Sequence, residues 1–482
     1  MRIIGNDPST PRQAQIVASG TLSTGDTVAV NADGTVSVVA SSGATEGLGS
    51  AVAFGPANTA DAVFDSTNNK VAILYLDRDD TNKPTVVIGT VTSGNAISFG
   101  TPVAVNTSQA AFATVAFDST NGKVVVAYTS ASDSANGYAK VGTISGTSIS
   151  FGSAVEFANS SIQDVSSTFD SSNNKIVIVY RNDGNSNYGT AIVGTVSGTS
   201  ISFGTAVVFE SATTRDIDAT FDAANGKVVV VYEDNGNSNY GTGIVGTVSG
   251  TSISFGSPTT YTSARAQANN VVYDSANGKV VVAFGYDTSE TGYAVVGTVS
   301  GTSISFGSIV QFNNAQSTYP RLMYDSAAEK VVIPYRDGGN SGYGTLIVGT
   351  VSGTSISFGS ETVFESANSY YCVSAYDSNL GKTVIAYTDD GNSLNGTGIV
   401  YQVGYTSTNL TAENYIGTAA SGAANTQRAK INLKGAVDEN QSGLTAGQSY
   451  YVQTDGTLGT TPADPSVFAG TAVAANKLIV KG

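Results

Sequence analysis

Residues able to handle a polar ligand recur at matching places along this chain. Asp164, Arg215, Asp216, Arg265, Tyr319, Arg321, Tyr370 and Tyr371 fall in one set of short, varied segments; Arg181, Glu233, Tyr286 and Arg336 fall in a second. Guanidinium and carboxylate groups hydrogen-bond hydroxyls, and a tyrosine offers an apolar face with a polar tip. Such a set suits a sugar or a protein surface. It does not suit imidazole chemistry. The chain contains no histidine, which removes Ser-His-Asp and Cys-His arrangements as well as histidine metal sites. The single cysteine, Cys372, can form neither a zinc site nor a disulfide within the chain, and it reads as a small buried apolar side chain. We therefore assign no catalytic residue, no metal and no cofactor.

These residues are positioned by a repeat. A unit of about 52 residues opens seven times on an apolar-aromatic-Asp start, a turn and a lysine: VFDSTNNK (63–70), AFDSTNGK (116–123), TFDSSNNK (168–175), TFDAANGK (220–227), VYDSANGK (272–279), MYDSAAEK (323–330) and AYDSNLGK (375–382). SGTSISFG closes five units (145–152, 197–204, 249–256, 300–307, 352–359), with SGNAISFG (93–100) as a variant. A fixed period of this length marks a repeat architecture. Within a unit, alternation in IDATFD, the apolar run KVVVVYE and alternation in TSISFGS read as short strands separated by Asn-, Asp- and Gly-rich turns. Four antiparallel strands per unit with no helical period predicts an all-β fold: a seven-bladed β-propeller over residues 46–405. The recurring Asp65, Asp118, Asp170, Asp222, Asp274, Asp325 and Asp377 each precede a turn and are expected to cap it.

The last repeat lacks its SGTSISFG strand, while GLGSAVAFG (47–55) near the start matches the tail of one, as in SFGSAVEF (150–157). The expectation is a clasp in which an N-terminal strand completes the seventh sheet and leaves no open edge. Outside the repeat, SGTLSTGDTVAVNADGTVSVV (19–39) lines up with SGLTAGQSYYVQTDGTLGTT (442–461), and each reads as a hairpin turning at Asp-Gly. An N-terminal β arm (1–45) and a C-terminal β module (406–482) are expected to pack together.

Formal net charge is −15 with charged residues only 12% of the chain. That balance argues against nucleic acid and anionic membrane as partners. No apolar run approaches the roughly 18 residues of a membrane span, and the first residues show no classical secretion signal. The loops RNDGNSNYG (181–189), EDNGNSNYG (233–241), RDGGNSGYG (336–344) and TDDGNSLNG (388–396) carry oxygens of the kind calcium takes, but without the spacing of an EF-hand they read as Asx turns.

The stretch from NLTAENYIG to the closing AGTAV and KLIVKG, with SGLTAGQSYYVQTDGTL between them, resembles a module at the ends of tailed-phage virion proteins, especially those of marine phages. ASGTLSTGDTVAVNADGTVSVV resembles segments of such proteins too. The resemblance covers roughly a quarter of the chain and implies a component at the surface of a phage particle, fibre-like or decorating, with other virion proteins as partners through the terminal module and a trimer as a common oligomer. The implied job is host attachment through a receptor or glycan. A decoration protein without a receptor is the alternative. A sialidase-like glycosidase is a second one, although an SxDxGxTW-type box is absent and seven units do not match a six-bladed sialidase. Asp164, Arg181, Arg215, Asp216, Glu233, Arg265, Tyr319, Arg321, Arg336, Tyr370 and Tyr371 are the candidate ligand residues, expected on the connections and loops of one varied face.

Overall fold

The computed structural model describes residues 12–481 apart from 288, so residues 1–11 of the N-terminal arm lie outside the described residues. The fold is all-β. Strands pair antiparallel throughout, no sheet closes on itself as a barrel, and the helical segments are single 3-10 turns. The chain divides into two compact units, one spanning Glu46–Val403 and one built from the two ends, up to Thr45 and from Gly404.

The fourth repeat illustrates how the sequence builds the larger unit. In Lys227–Asp234 every residue after the lysine is buried, as a β-branched run covered on both faces must be. It pairs on one side with Thr214–Asp222 and on the other with Tyr240–Ser249. A two-residue turn with Gly250 at φ 62° leads into Ser252–Phe255. Asp222, fully buried, accepts from the Asn225 amide at 3.1 Å and from Asn225 Nδ2 at 2.8 Å. Asp65, Asp118, Asp170 and Asp274 hold their turns in the same way. Behind that turn the lysine ammonium reaches a threonine hydroxyl on the third strand, as in Lys227–Thr247 and Lys175–Thr195, both 2.9 Å.

Neighbouring sheets are fastened by an aromatic residue lying on a glycine. Phe209 packs where a Cβ on Gly189 would stand, 2.5 Å away, and its ring meets Tyr232 of the next sheet at 5.4 Å. Phe157 with Gly137, Tyr261 with Gly241, Phe312 with Gly292 and Phe364 with Gly344 repeat the arrangement. The glycines leave room for the ring, and each ring pair adds about 1 kcal/mol beyond its buried area.

The N-terminal segment joins the last repeat by the same device. Gly47 and Leu48 pair with Gln402 and Tyr401, and Val52–Pro56 pairs with Asn395–Gly398. Phe54 lies on Gly396, 2.3 Å from a Cβ position there, and meets Tyr75 at 5.3 Å. Phe54 thus occupies in the seventh sheet the place of Phe157 in the second, as the match between GLGSAVAFG and SFGSAVEF foretold. The first strands of successive repeats pack side by side, and Thr362–Asp377 of the last packs against Val52–Asp65 of the first.

One expectation needs correction. The varied connections 210–219, 262–271 and 365–374 are not surface loops, and 158–167 is strand apart from residues 159–161. Residues 210–219 belong to one continuous strand, Val207–Asp222, and Thr259–Asp274 and Thr362–Asp377 behave alike. The chain passes from the outer edge of one sheet to the inner strand of the next without leaving extended geometry, because both sheets satisfy its backbone in turn. The strand is broken elsewhere: between Val103–Ala104 and Ala113–Asp118, between Val155–Ala158 and Ile162–Asp170, and in the sixth repeat between Val310–Thr318 and Met323–Asp325. Pro320 stands at the last of these breaks and offers no N–H to a ladder.

The second unit has its own cores. Gln13–Val17, Arg428–Asn432, Tyr415–Ala419, Thr27–Val30 and Val36–Val38 form one five-stranded sheet in that order, so strands from both ends of the chain share it. Val437–Asp438, Lys477–Val480, Val467–Ala474, Ser449–Val452 and Leu458–Gly459 form another. Ala29, Val39, Tyr415, Tyr450, Val452 and Leu478 are buried together in one cluster.

Candidate functional site

The first strand of five repeats carries an interruption a few residues before its turn. Pairing skips between Thr59 and Asp61, Gln163 and Ser166, Arg215 and Asp218, Gln267 and Asn270, and Tyr370 and Val373. An extra residue is squeezed in at each, as in a β-bulge. Asp164, Asp216, Ala268 and Tyr371 stand at four of these, and Tyr319 beside the strand break of the sixth repeat, all with φ between 46° and 55°. This is left-handed backbone that a residue with a side chain adopts at a cost, tolerable for Asp and unusual for Tyr.

The interruptions converge. A cavity of about 720 Å³ is lined by Asn58–Ala62, Gln109–Val115, Asp164–Ser167, Asp216–Ala219, Ala268–Val272, Tyr319–Met323, and Tyr371, Val373 and Ser374, together with Leu76 and Asn82. Every one of the seven repeats contributes. Of the eleven sequence-derived candidates, Asp164, Asp216, Tyr319, Arg321 and Tyr371 line it. Tyr370 and Tyr371 also border a second hollow of about 540 Å³ with Arg78 and Asp390.

The remaining candidates pair nearby. Arg181 Nε donates to Asp183 at 2.9 Å and its Nη1 stands 3.4 Å from Asp164. Arg265 donates to the buried Glu233 at 3.2 Å. Arg336 donates to Asn368 at 2.7 Å and lies over the Tyr370 ring at 5.5 Å. Arg215 is exposed, and its charge reaches Asp164, Asp216 and Glu233. Tyr286 meets Tyr293 at 4.9 Å, the rings tilted by 43°, and does not line the cavity.

Burial raises the Asp164 carboxyl to about 6; the charge of Asp216 adds to the rise, while Arg181 and Arg215 oppose it. Burial likewise raises Asp216, whose carboxylate accepts from the Ala268 amide. Both side chains keep a partial solvent surface because they face the cavity, although protein surrounds them.

A second layer of residues was missed from sequence, apart from Arg321. Four positions before each turn aspartate stand Asp61, Thr114, Ser166, Asp218, Asn270, Arg321 and Val373. Asp61 accepts from Thr114 Oγ1 at 2.8 Å and from the Val115 amide at 2.9 Å. Asp218 accepts from Ser166 Oγ at 2.7 Å, from Asn270 Nδ2 at 2.7 Å and from the Val271 amide at 2.8 Å, so one carboxylate ties three repeats together. Arg321 is the one cation among the described lining residues, and its charge lowers the carboxyls of Asp61, Asp216 and Asp218 against the rise that burial imposes. The available signal was polarity at a fixed offset in a strand otherwise reading as core.

The site can hold a hydroxyl-rich or charged small molecule through carboxylates, amides and tyrosine faces. Among the described residues, no group of three or more His, Cys, Asp or Glu is placed to hold a metal ion, and no helix is long and apolar enough to cross a membrane. No known protein family matches the chain, and no curated protein matches it either.

Proposed function

We propose that residues 46–403 form a closed seven-bladed β-propeller that binds a carbohydrate or similar polar ligand, and that the protein is a phage-virion component displaying this propeller for attachment to a host surface. The pairing of Val52–Pro56 with Asn395–Gly398 and the packing of the last first-strand on the first support closure. Closure removes edges that would template aggregation.

One observation carries the binding reading. Seven copies of a near-identical scaffold bring their inner strands to a single cavity, and the residues they present there differ from copy to copy. A purely structural axis has no need of that variety. The virion assignment rests on the resemblance of the terminal segments, with the unit built from the two ends as the attachment module, other virion proteins as its partners and the particle surface as its place. Binding without turnover fits the lining: Asp61 and Asp218 are held by amides and hydroxyls of neighbouring repeats rather than left free to exchange protons. The test is saturable binding of the purified protein to host cells and to their extracted surface polysaccharide. Saturation of both, abolished by Tyr371→Ala together with Asp164→Asn, is the expected result; the absence of binding to either overturns the reading. Hundreds of copies per particle would favour a decoration role instead.

A further inference from the structure

We infer that the site of the 46–403 unit takes a chain of at least two sugar units, seated across the cavity and the hollow beside it. The inference rests on the carbohydrate reading above and gives the ligand its length.

The two spaces adjoin. Asn58, Asn82 and Tyr371 line both the cavity of about 720 Å³ and the hollow of about 540 Å³. A space of about 300–1,000 Å³ holds one small molecule. Each is therefore large enough for a sugar by itself, and a ligand of one unit leaves the other unfilled. The hollow lies between the first repeat, which gives it Asn58, Arg78 and Asn82, and the last, which gives it Tyr370 and Tyr371.

An aromatic strip runs from one space to the other. Of the two, Tyr319 lines only the cavity and Tyr370 only the hollow. Tyr371 stands between them, its ring 4.9 Å from that of Tyr319 and 6.4 Å from that of Tyr370. These steps are close to the length of one hexose in a glycan. Aromatic rings accept the apolar side of a sugar, and the phenol tips meet its hydroxyls.

The backbone of Tyr371 points the same way. Cys372 beside it is fully buried, its carbonyl accepts from Thr59 Oγ1 of the first repeat, and its φ of 49° is one that a tyrosine seldom adopts. The ring so presented is 40% exposed. A large aromatic side chain held in strained backbone and left open is accounted for by what it touches, not by packing. Polar groups flank the strip at both ends. Inside, Arg321 acts on Asp61, Asp216 and Asp218 through its charge but makes no side-chain hydrogen bond or ion pair with a described residue, so its donors are open to hydroxyls. Outside, Arg78 donates to Asn58 at 3.3 Å and Arg336 lies over the Tyr370 ring.

Calorimetric titration of the full chain with the extracted host polysaccharide, and with its fragments of one, two, three and four units, tests this. Affinity is expected to rise at least about tenfold from one unit to two or three and to level off by four. Tyr370→Ala should cut that gain to about threefold or less. Arg78→Ala, at an exposed position, changes the hollow without touching the core and should lower the gain as well. A smaller gain in the parent protein, a rise as steep from three units to four as from one to two, fragments that all fail while the intact polysaccharide binds, or a gain untouched by both variants each overturns the inference and leaves the carbohydrate reading standing. Failure of the intact polysaccharide to bind sinks that reading, and this one with it.

Discussion

The two ends of each inner strand obey different rules. At one end stands the turn aspartate, the same in seven repeats, buried and bonded to the amides that follow it. A few residues earlier, in five repeats, the chain presents Asp164, Asp216, Ala268, Tyr319 and Tyr371 in one strained conformation but with three different side-chain types. The turn end repeats because each sheet needs the same corner. The bulge end keeps its backbone and varies its chemistry. Backbone sameness with side-chain variety is what a scaffold carrying a site looks like.

The contrast can be broken at several levels of effect. Gly396→Val, at the scaffold's closing strand, should cost about 3 kcal/mol or more, because its Cβ would stand 2.3 Å from Phe54 and the ring cannot retreat without opening the pairing of Val52–Pro56. Chemical denaturation measures this. An unchanged midpoint would mean that the N-terminal strand does not fasten the seventh sheet.

Asp222→Ala should cost about 2 kcal/mol by leaving the Asn225 amide and side chain without an acceptor. The equivalent change at Asp170 should match it, since the two corners are alike. Unequal losses would blur the line drawn between scaffold and site.

At the bulge end the handle is pH. The folded Asp164 carboxyl holds its proton up to about pH 6, whereas the unfolded chain releases it near 4, so between those values the folded state binds more protons. Its contribution to stability is present at the acid side and lost as pH rises toward 6, on the order of 2 kcal/mol. Asp216, Arg181, Arg215 and Asp183 are the charges that act on it. Asp164→Asn should flatten the pH profile of the denaturation midpoint; a profile that keeps its slope refutes a buried, strained carboxyl there.

The smallest stability effect belongs to Tyr371→Ala. With the side chain 40% exposed, the loss should stay near 0.5 kcal/mol, and replacing a left-handed tyrosine adds no new strain. Ligand binding should nevertheless fall. A large loss of stability with binding intact would reverse the roles given to the two ends of the strand.

Much of the scaffold was legible beforehand. The turn aspartates, the second strands with their central apolar runs, such as 228–232 in Lys227–Asp234, and the strand order within a repeat follow from local pattern, because a turn and a pleat are made by residues close in sequence. Even the pairing of residues 47–55 with the last repeat could be read, since a missing copy of a repeated phrase reappeared near the start of the chain. The site was only half legible. Sequence variation drew attention to Asp164, Asp216, Tyr319, Arg321 and Tyr371, but it placed them in loops.

What the sequence by itself determined is therefore the repeated corner and the strands that flank it, whose partners lie within one unit. Only the tertiary structure decided that most of the varied segments are strands, and that Asp218 would bind Ser166 and Asn270. The reason is distance along the chain. Residues about 52 positions apart meet only when neighbouring sheets pack, and no pattern inside one unit records which side chain will face which across that gap.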